Sequence, residues 1–315
     1  MLFKVFKNTI SHIIKGENMF WIPLSGAIAE ASGNVIEKKI LKCPEINYKN
    51  YTVYGFLAIV LLSIPLLFFY WDIKSEAYAP INLLILFGVI IFSLIANLLV
   101  FYSLKRESLT ELEPIRLMQP LFTILIAFCL SFFFIDYASE RNYSILILGL
   151  IASFALIGAH IRKHHIKLNK YILAALLGSL FFSVEMVISK FILVYYSSIT
   201  FYFIRCLLIF IITLIIFHPR TVLKTKTKIL TLITAGIWIF YRTILYYGYM
   251  RYGVVFTTLL FILTPVFIFI FAKIFLKEKI GIRNIISSII IVACVAIAII
   301  IQEHNAIISI IRSLI

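Results

Sequence analysis

The fold is decided by residues 253–300, GVVFTTLLFILTPVFIFIFAKIFLKEKIGIRNIISSIIIVACVAIAII, in which a short basic turn separates two long apolar runs. Each run has about the 20 residues that an α-helix needs to cross the hydrocarbon core of a bilayer. The runs are continuous and lack the polar–apolar alternation of a membrane β-barrel. Because backbone polar groups in lipid must be satisfied within the segment, the runs predict membrane-spanning α-helices.

Similar runs recur along the whole chain of 315 residues. Apolar residues make up 63% of it and charged residues 14%, whereas a soluble domain has about 45–50% and about 25%. Lipid must therefore surround much of the chain. We predict an all-α membrane protein with about ten transmembrane helices, at residues 20–38, 53–71, 80–103, 114–134, 143–161, 171–194, 198–217, 229–249, 253–276 and 284–302.

The amino-acid usage argues against several classes of function. The net charge is +15, but the basic residues lie in short tracts between apolar runs, where they set topology and contact lipid headgroups rather than nucleic acid. The four cysteines show no CxxC spacing. His160 and His164 have no acidic neighbours, so we expect no metal site. Without a nucleotide-binding or hydrolase motif, we expect no cofactor and no enzymatic activity.

The two halves of the chain resemble each other. VIEKKIL at 35–41 aligns with VISKFIL at 187–193, which pairs Lys38 with Lys190. Further matches follow in the same order: Tyr102 with Tyr247, Arg106 with Arg251, Pro120 with Pro265, and Arg141 with Arg283. This order predicts duplication of a five-helix unit.

Because five is an odd number, the second copy enters the membrane from the opposite side. The result is an inverted repeat, a common architecture of secondary transporters, whose substrate site lies near the midplane between the halves. We place an amphipathic N-terminal segment without a signal peptide at 1–19, the first repeat at 20–161, the second at 171–302 and a C-terminal tail at 303–315.

Residues 253–300 resemble the ninth and tenth helices of an EamA-type unit of the drug/metabolite transporter superfamily, with mid-helix Pro265 and the turn Leu276-Lys277-Glu278. The first copy keeps Pro120 but has FFFIDYASERN in place of that turn. The resemblance covers about residues 20–302. It implies a ten-helix carrier that moves a small-molecule substrate by alternating access. We place such a carrier in the lipid bilayer of a cell membrane, here a bacterial inner membrane, and leave a homo-oligomer open.

The basic residues between the predicted spans concentrate on the side opposite the N-terminus. The tendency of basic loops to stay in the cytoplasm then places both termini outside the cell. The family resemblance implies both termini in the cytoplasm. The orientation therefore stays open at this point.

Polar side chains within the predicted spans are candidates for function, because burying an ionisable group in hydrocarbon is costly. In the first span Glu30, Asn34 and Glu37 share one helix face. We interpret Glu30 as lining a polar cavity, and Glu37 with Lys38 as reaching the headgroups from the helix end. Asn97 in the third span either lines the same cavity or links two helices.

The second half offers a further set. Glu185, with Ser189 one turn on, is interpreted either as a substrate or proton-coupling residue or as part of an ion pair with Lys190 or with an arginine from another helix. Arg205 and Arg242 are the other costly residues. Beside Arg242 lie two aromatic residues of the same helix face, Trp238 and Tyr241.

An arginine next to aromatic rings can bind a carboxylate while the rings receive an apolar or cationic group. Alternatively, Arg242 neutralises Glu185. Pro120 and Pro265 are predicted to kink equivalent helices and to act in gating.

The leading hypothesis is a secondary active transporter of a small organic metabolite, an amino acid or related solute, driven by protons. Two alternatives stay open. One is an uptake carrier for a nucleotide-like or S-adenosyl metabolite. The other is a flippase or membrane enzyme that acts on a lipid-linked substrate.

Overall fold

The computed structural model describes residues 21–44, 46–107, 112, 115–160, 169–219, 223–267, 269–270 and 281–314. Its α-helices within these residues are α1 (Trp21–Leu41), α2 (Tyr48–Tyr70), α3 (Pro80–Arg106), α4 (Met118–Leu130), α5 (Tyr143–His160), α6 (Lys170–Leu193), α7 (Ser198–Phe217), α8 (Thr225–Tyr252), α9 (Val254–Phe261) and α10 (Ile282–Leu314). Two short 3₁₀ helices, Ser75–Tyr78 and Ile135–Glu140, lie in the connections. The segment 1–19, the turn at 276–278 and most of 162–170 lie outside the described residues.

The all-α membrane fold predicted from the sequence is confirmed. Six helices, α2, α3, α6, α7, α8 and the first part of α10, are long and apolar enough to cross a bilayer. Three shorter helices, α4, α5 and α9, are apolar as well. Helix α10 continues without a break from the last span through residues 303–314 of the predicted tail, and the tail's boundary stays a prediction.

Polar side chains mark where several helices begin. The amide oxygen of Asn169 accepts hydrogen bonds from the backbone N–H groups of Tyr171 and Ile172, both at 2.9 Å. The hydroxyl of Ser197 likewise accepts from the N–H of Thr200 at 3.1 Å. Both side chains satisfy donors that the first turn of a helix leaves unpaired. Helices α6 and α7 therefore start where the sequence supplies these caps.

Pro120 and Pro265 each follow an interruption of a helix. Leu117 forms a turn immediately before α4, and a turn at Ile262 and Leu263 separates α9 from a helical segment at 264–267. In both cases the turn begins three residues before the proline, whose ring removes a backbone donor and collides with the preceding turn. The spans predicted at 114–134 and 253–276 are therefore broken helices.

The helices pack in pairs that repeat between the two halves. Helix α3 packs along α6 as α8 packs along α1; in addition, α2 contacts α7, α4 contacts α9 and α5 contacts α10. Glycines at equivalent positions permit the closest contacts: a Cβ on Gly178 would lie 2.8 Å from Val100 of α3, and one on Gly26 would lie 3.1 Å from Ile244 of α8. This pairing is what two inverted repeats would produce, although the repeat boundaries themselves remain predictions.

The helix ends define two faces of the bundle. We call one the Glu140 face; it carries the connections 71–79, 131–142 and 194–197 and residue 253. We call the other the Lys38 face; it carries the connection 42–47 and residues 107, 169 and 223–224. On the Glu140 face, the amide of Lys74 donates to the carbonyl of Tyr195 at 2.9 Å and that of Ser197 to Asp72 at 3.1 Å. On the Lys38 face, Asn169 donates to the Glu107 carboxylate at 2.8 Å.

Candidate functional site

A central cavity lies between the helices and consists of two adjoining lobes. The first lobe has a volume of about 80 Å³ and the second about 70 Å³. Both lobes are lined by Glu30, Arg116, Gln119, Met186 and Tyr241. Each has room for several water molecules. An organic solute would therefore need the cavity to open further.

The structure brings most of the predicted site residues to this cavity. The first lobe is lined by Glu30, Asn97, Arg205, Trp238, Tyr241 and Arg242. The second is lined by Glu30, Asn34, Pro120, Tyr241 and Pro265. Glu185 and Ser189 line neither lobe. They lie behind the wall, where the Ser189 hydroxyl donates to the carbonyl oxygen of Glu185 at 2.7 Å.

Glu185 holds two arginines against the first lobe. It is fully buried, and its carboxylate accepts hydrogen bonds from Nη1 of Arg205 and, at 3.2 Å, from Nη1 of Arg242. Nη1 of Arg205 also lies 2.9 Å from the hydroxyl of Tyr246. Two guanidinium groups face one carboxylate, so this arginine cluster carries one excess positive charge. Of the partners considered for Glu185, arginines from other helices are the observed ones, whereas Lys190 pairs with Glu140.

The acidic side chains that line the cavity lie along α1. Glu30 accepts a hydrogen bond from the hydroxyl of Thr264 at 2.8 Å, and Glu37 accepts one from the hydroxyl of Tyr51 at 3.1 Å. Arg116 is the cation of this region, although its Nη2 donates to the amide oxygen of Asn34 at 2.7 Å rather than to a carboxylate. Two carboxyl groups face one guanidinium, so with Glu30 and Glu37 both ionised this carboxylate region would carry one excess negative charge.

The interpretation of Glu37 and Lys38 as residues that reach the headgroups is wrong. Both are buried. Glu37 lines the first lobe. Nζ of Lys38 donates to the carbonyl oxygens of Leu104 and Glu107 at the end of α3. The end of α3 offers unpaired carbonyls and the negative end of a helix dipole, and this attracts a cation more strongly than the headgroups do.

Aromatic rings form much of the remaining wall. Trp238 and Tyr241 meet edge to face with centroids 5.3 Å apart. The guanidinium of Arg242 lies 5.7 Å from the Phe182 ring centre, and that of Arg205 lies 4.9 Å from that of Tyr202. These cation–π contacts help to fix the two guanidinium groups in addition to the Glu185 carboxylate. The same rings offer flat apolar surface to a ligand.

The residue before each of the two helix-breaking prolines contacts the first helix of the other half. Thr264, before Pro265, donates to Glu30 of α1. Gln119, before Pro120, lies 3.4 Å from the sulfur of Met186 on α6, and its carbonyl accepts from Ser183 at 2.9 Å. The cavity wall and the two helix interruptions are therefore in direct contact.

Arg116, Gln119 and Glu37 are cavity residues that the sequence reasoning missed. Arg116 had a detectable signal, because it lies inside the span predicted at 114–134, where any arginine is a candidate. Gln119 had a weaker signal in its position next to Pro120. The roles of all these residues, predicted or newly located, stay predictions.

Three comparisons with known proteins bear on the chain. The model of the EamA-like transporter family matches residues 169–300. Among solved structures, the chain is similar to one titled "Crystal structure of protein", with a TM-score of 0.63, 15% sequence identity, and coverage of 90% of this chain and 98% of that chain. At that identity the likeness shows the fold alone. No curated protein matches the chain.

Proposed function

We propose that this chain, whose residues 169–300 match the model of the EamA-like transporter family, is a secondary active carrier that moves a small zwitterionic solute through the central cavity by alternating access. The observation that carries the proposal is the separation of charge in that cavity. The arginine cluster of Glu185, Arg205 and Arg242 has an excess positive charge. The carboxylate region of α1, with both carboxyl groups ionised, would have an excess negative charge.

A solute that carries a carboxylate and an ammonium group matches both ends at once. Its carboxylate would approach Arg242 and Arg205, whose guanidinium groups line the first lobe and are already oriented by Glu185. Its ammonium group would approach Glu30 or Glu37. Charged groups inside a water-poor cavity attract a ligand strongly only if their own partners leave charge uncompensated, as both ends do here.

The aromatic wall suits the remainder of such a solute. Trp238 and Tyr241 line the same lobe as the two charged regions, so an apolar or aromatic side chain could lie against them. We therefore favour an amino acid or related solute. An S-adenosyl metabolite carries the same amino-acid group together with a sulfonium and a base, and it is the second candidate because the same wall could stack on the base.

Glu30 is the residue that we propose for proton coupling. Among the described residues its carboxylate has no ion-pair partner, unlike that of Glu185, and it borders both lobes. It also accepts from Thr264, next to the interruption before Pro265. Proton binding at Glu30 would weaken this contact and so change the position of the broken helix, with Pro120 as the equivalent element in the first half.

Counterflow in proteoliposomes tests the proposal. Vesicles are loaded with zwitterionic amino acids, organic cations, organic anions, nucleotides or S-adenosyl compounds in turn, and uptake of the same labelled solute is measured. We expect exchange of one zwitterionic class only. Glu30→Gln should keep exchange, at a higher solute concentration because Glu37 alone then attracts the ammonium group, but should lose accumulation driven by a proton gradient. The exposed Glu76→Gln serves as the matched control and should keep both exchange and accumulation.

Two results would contradict the proposal. Exchange of anions or cations without any zwitterion would refute the assignment of substrate to the separated charges. Gradient-driven accumulation by Glu30→Gln at the parent's level would refute the coupling role of Glu30 while leaving the carrier itself in place.

A further inference from the structure

A largely buried ion pair lies at the Glu140 face of the bundle. Glu140 lies in the 3₁₀ helix between α4 and α5 and is only 3% exposed. Its Oε1 atom lies 2.5 Å from Nζ of Lys190 on α6 and accepts from the N–H of Val254 at 2.6 Å. Its Oε2 atom accepts from the N–H of Val255 at 2.9 Å. One carboxylate thus caps the start of α9 and ties it to α6.

The backbone before α9 is shaped to receive this carboxylate. Gly253 has φ of +90°, and a Cβ placed on it would lie 2.7 Å from Oε1 of Glu140. Only glycine combines that backbone angle with so close an approach. The sequence therefore contains a glycine where α8 ends and α9 begins.

Tyr137 holds the lysine in place. Nζ of Lys190 lies 4.6 Å from the centre of the Tyr137 ring, and the Tyr137 hydroxyl donates to the carbonyl oxygen of Val187, one turn earlier on α6. Burial raises the pKa of the Tyr137 hydroxyl well above its usual value, so this group stays protonated and remains a donor. The lysine therefore reaches Glu140 from a fixed position rather than as a mobile surface side chain.

The ion pair lines a vestibule that shares one wall residue with the central cavity. A vestibule of about 390 Å³ on this face is lined by Glu140, Lys190 and Tyr249, among others. Tyr249, which is buried, also lines the second lobe of the central cavity. A solute that passes between the lobe and the vestibule must move past Tyr249, and the start of α9 next to it is held against α6 by Glu140.

We propose that the Lys190–Glu140 pair is a latch that closes the Glu140-face mouth of the transport path and must break for that mouth to open. Separation of α9 from α6 would remove the contact between Lys190 and Glu140 while Glu140 kept its two backbone donors on α9. The role of the latch in transport rests on the carrier function proposed above. Its control of access to the cavity can be tested without any substrate.

The equivalent lysine supports this assignment. Lys38, which aligns with Lys190, joins α1 to the end of α3 on the Lys38 face, through the carbonyls of Leu104 and Glu107. Lys105 of α3 returns the contact, because its Nζ donates to the carbonyls of Leu41 at 3.0 Å and Cys43 at 2.8 Å. Lys38 thus ties α1 directly to the end of α3 in its own half, whereas Lys190 ties α6 to the junction between α8 and α9 through Glu140 of the first half, and the two lysines lie on opposite faces.

Cysteine accessibility in lipid nanodiscs, where both faces meet the solvent, provides the test. Cys43, Cys129, Cys206 and Cys294 are replaced, and Thr258→Cys is introduced as a reporter in the second lobe. The rate of reaction with a membrane-impermeant maleimide is then measured in the parent and in Lys190→Met. We expect the rate to rise by about tenfold or more, because a buried ion pair no longer opposes opening.

Three variants serve as controls. Lys190→Arg keeps the charge and should react as slowly as the parent. Asp136→Asn removes an exposed carboxylate of the same connection and should have no effect. Lys38→Met, on the other face, should accelerate a Thr234→Cys reporter in the first lobe more than it accelerates Thr258→Cys in the second. If Lys190→Met does not fold, Glu140→Gln, which keeps an oxygen to cap α9, carries the same expectation.

An unchanged Thr258→Cys rate in a folded Lys190→Met or Glu140→Gln protein would overturn the latch. Equal acceleration by Asp136→Asn would also overturn it, because any loss of charge in the connection would then suffice. Absence of counterflow in the parent would instead refute the proposed carrier function and leave the accessibility result to be judged alone.

Discussion

Replacing Glu185 with Gln removes the carboxylate that Arg205 and Arg242 share. Both guanidinium groups stay almost fully buried, at 2% and 6% exposure, and would lose their only acidic partner among the described residues. Removing one member of a buried pair typically costs about 3–5 kcal/mol, since the remaining charge is left uncompensated. With two arginines left behind, we expect Glu185→Gln to lie at the upper end of that range.

Two further variants calibrate the magnitude. Arg205→Met leaves Glu185 paired with Arg242, so the charges balance one to one, and it should destabilise by about 1–3 kcal/mol through the lost hydrogen bonds. Glu185→Asp keeps the charge on a shorter side chain and should lie below Glu185→Gln. Chemical unfolding of the purified proteins in mixed micelles measures the order.

The order of the variants tests the reasoning more sharply than their absolute size. If Arg205→Met destabilised the protein as much as Glu185→Gln, charge balance would not be what holds the cluster together. If Glu185→Gln unfolded with the parent's free energy and also transported normally, the cluster would have neither the structural nor the orienting role assigned to it.

Other substitutions address single contacts. Gly253→Ala should destabilise the protein by about 1–3 kcal/mol, because alanine is strained at the positive φ and its Cβ collides with the Glu140 carboxylate that caps α9. Gly236→Ala in α8 is the control: a Cβ there would meet no atom within 4 Å, so the change should be neutral or stabilise by up to about 1 kcal/mol. Thermal unfolding compares the two variants. Arg116→Gln removes the cation that opposes the two carboxylates of α1, so it should increase discrimination in favour of cations over zwitterions in counterflow. Tyr137→Phe loses a buried hydrogen bond to α6 and should cost about 1 kcal/mol in the same unfolding assay; no change would mean that the bond is replaced by water.

The fold was predictable because lipid imposes a simple rule. A continuous apolar run of about 20 residues has few alternatives to a spanning helix, and the chain is made largely of such runs. The helix interruptions before Pro120 and Pro265 were implied by proline chemistry, although their start three residues earlier was not. The extension of α10 to Leu314 was missed because residues 303–314 include a charged and polar stretch that reads as the end of a span.

The site was less predictable, because the position of a residue along its own helix does not show which residues of other helices it contacts. Glu37 and Lys38 occupy the end of α1, where long side chains usually reach the headgroups. Only the packing of α1 against α3 shows that the end of α3 offers carbonyl acceptors at that level. For Glu185 the sequence left two roles open, a substrate or coupling residue or an ion pair with Lys190 or with an arginine from another helix. The choice of Arg205 and Arg242 as its partners depends on helices that are distant in sequence.

The asymmetry between the two halves is informative because the helix packing repeats so closely. Lys38 donates to backbone carbonyl oxygens, which neither a substitution nor protonation removes. Lys190 pairs with a carboxylate, whose charge either a substitution or protonation removes. The cavity divides in the same unequal way, with the excess positive charge held by Glu185 of the second half and the excess negative charge along α1 of the first. Two identical halves would give a cavity whose charges are related by the twofold axis, and such a cavity would not distinguish the two ends of a zwitterion. The difference in sequence between α1 and α6 would therefore let the proposed carrier bind a zwitterion in one orientation.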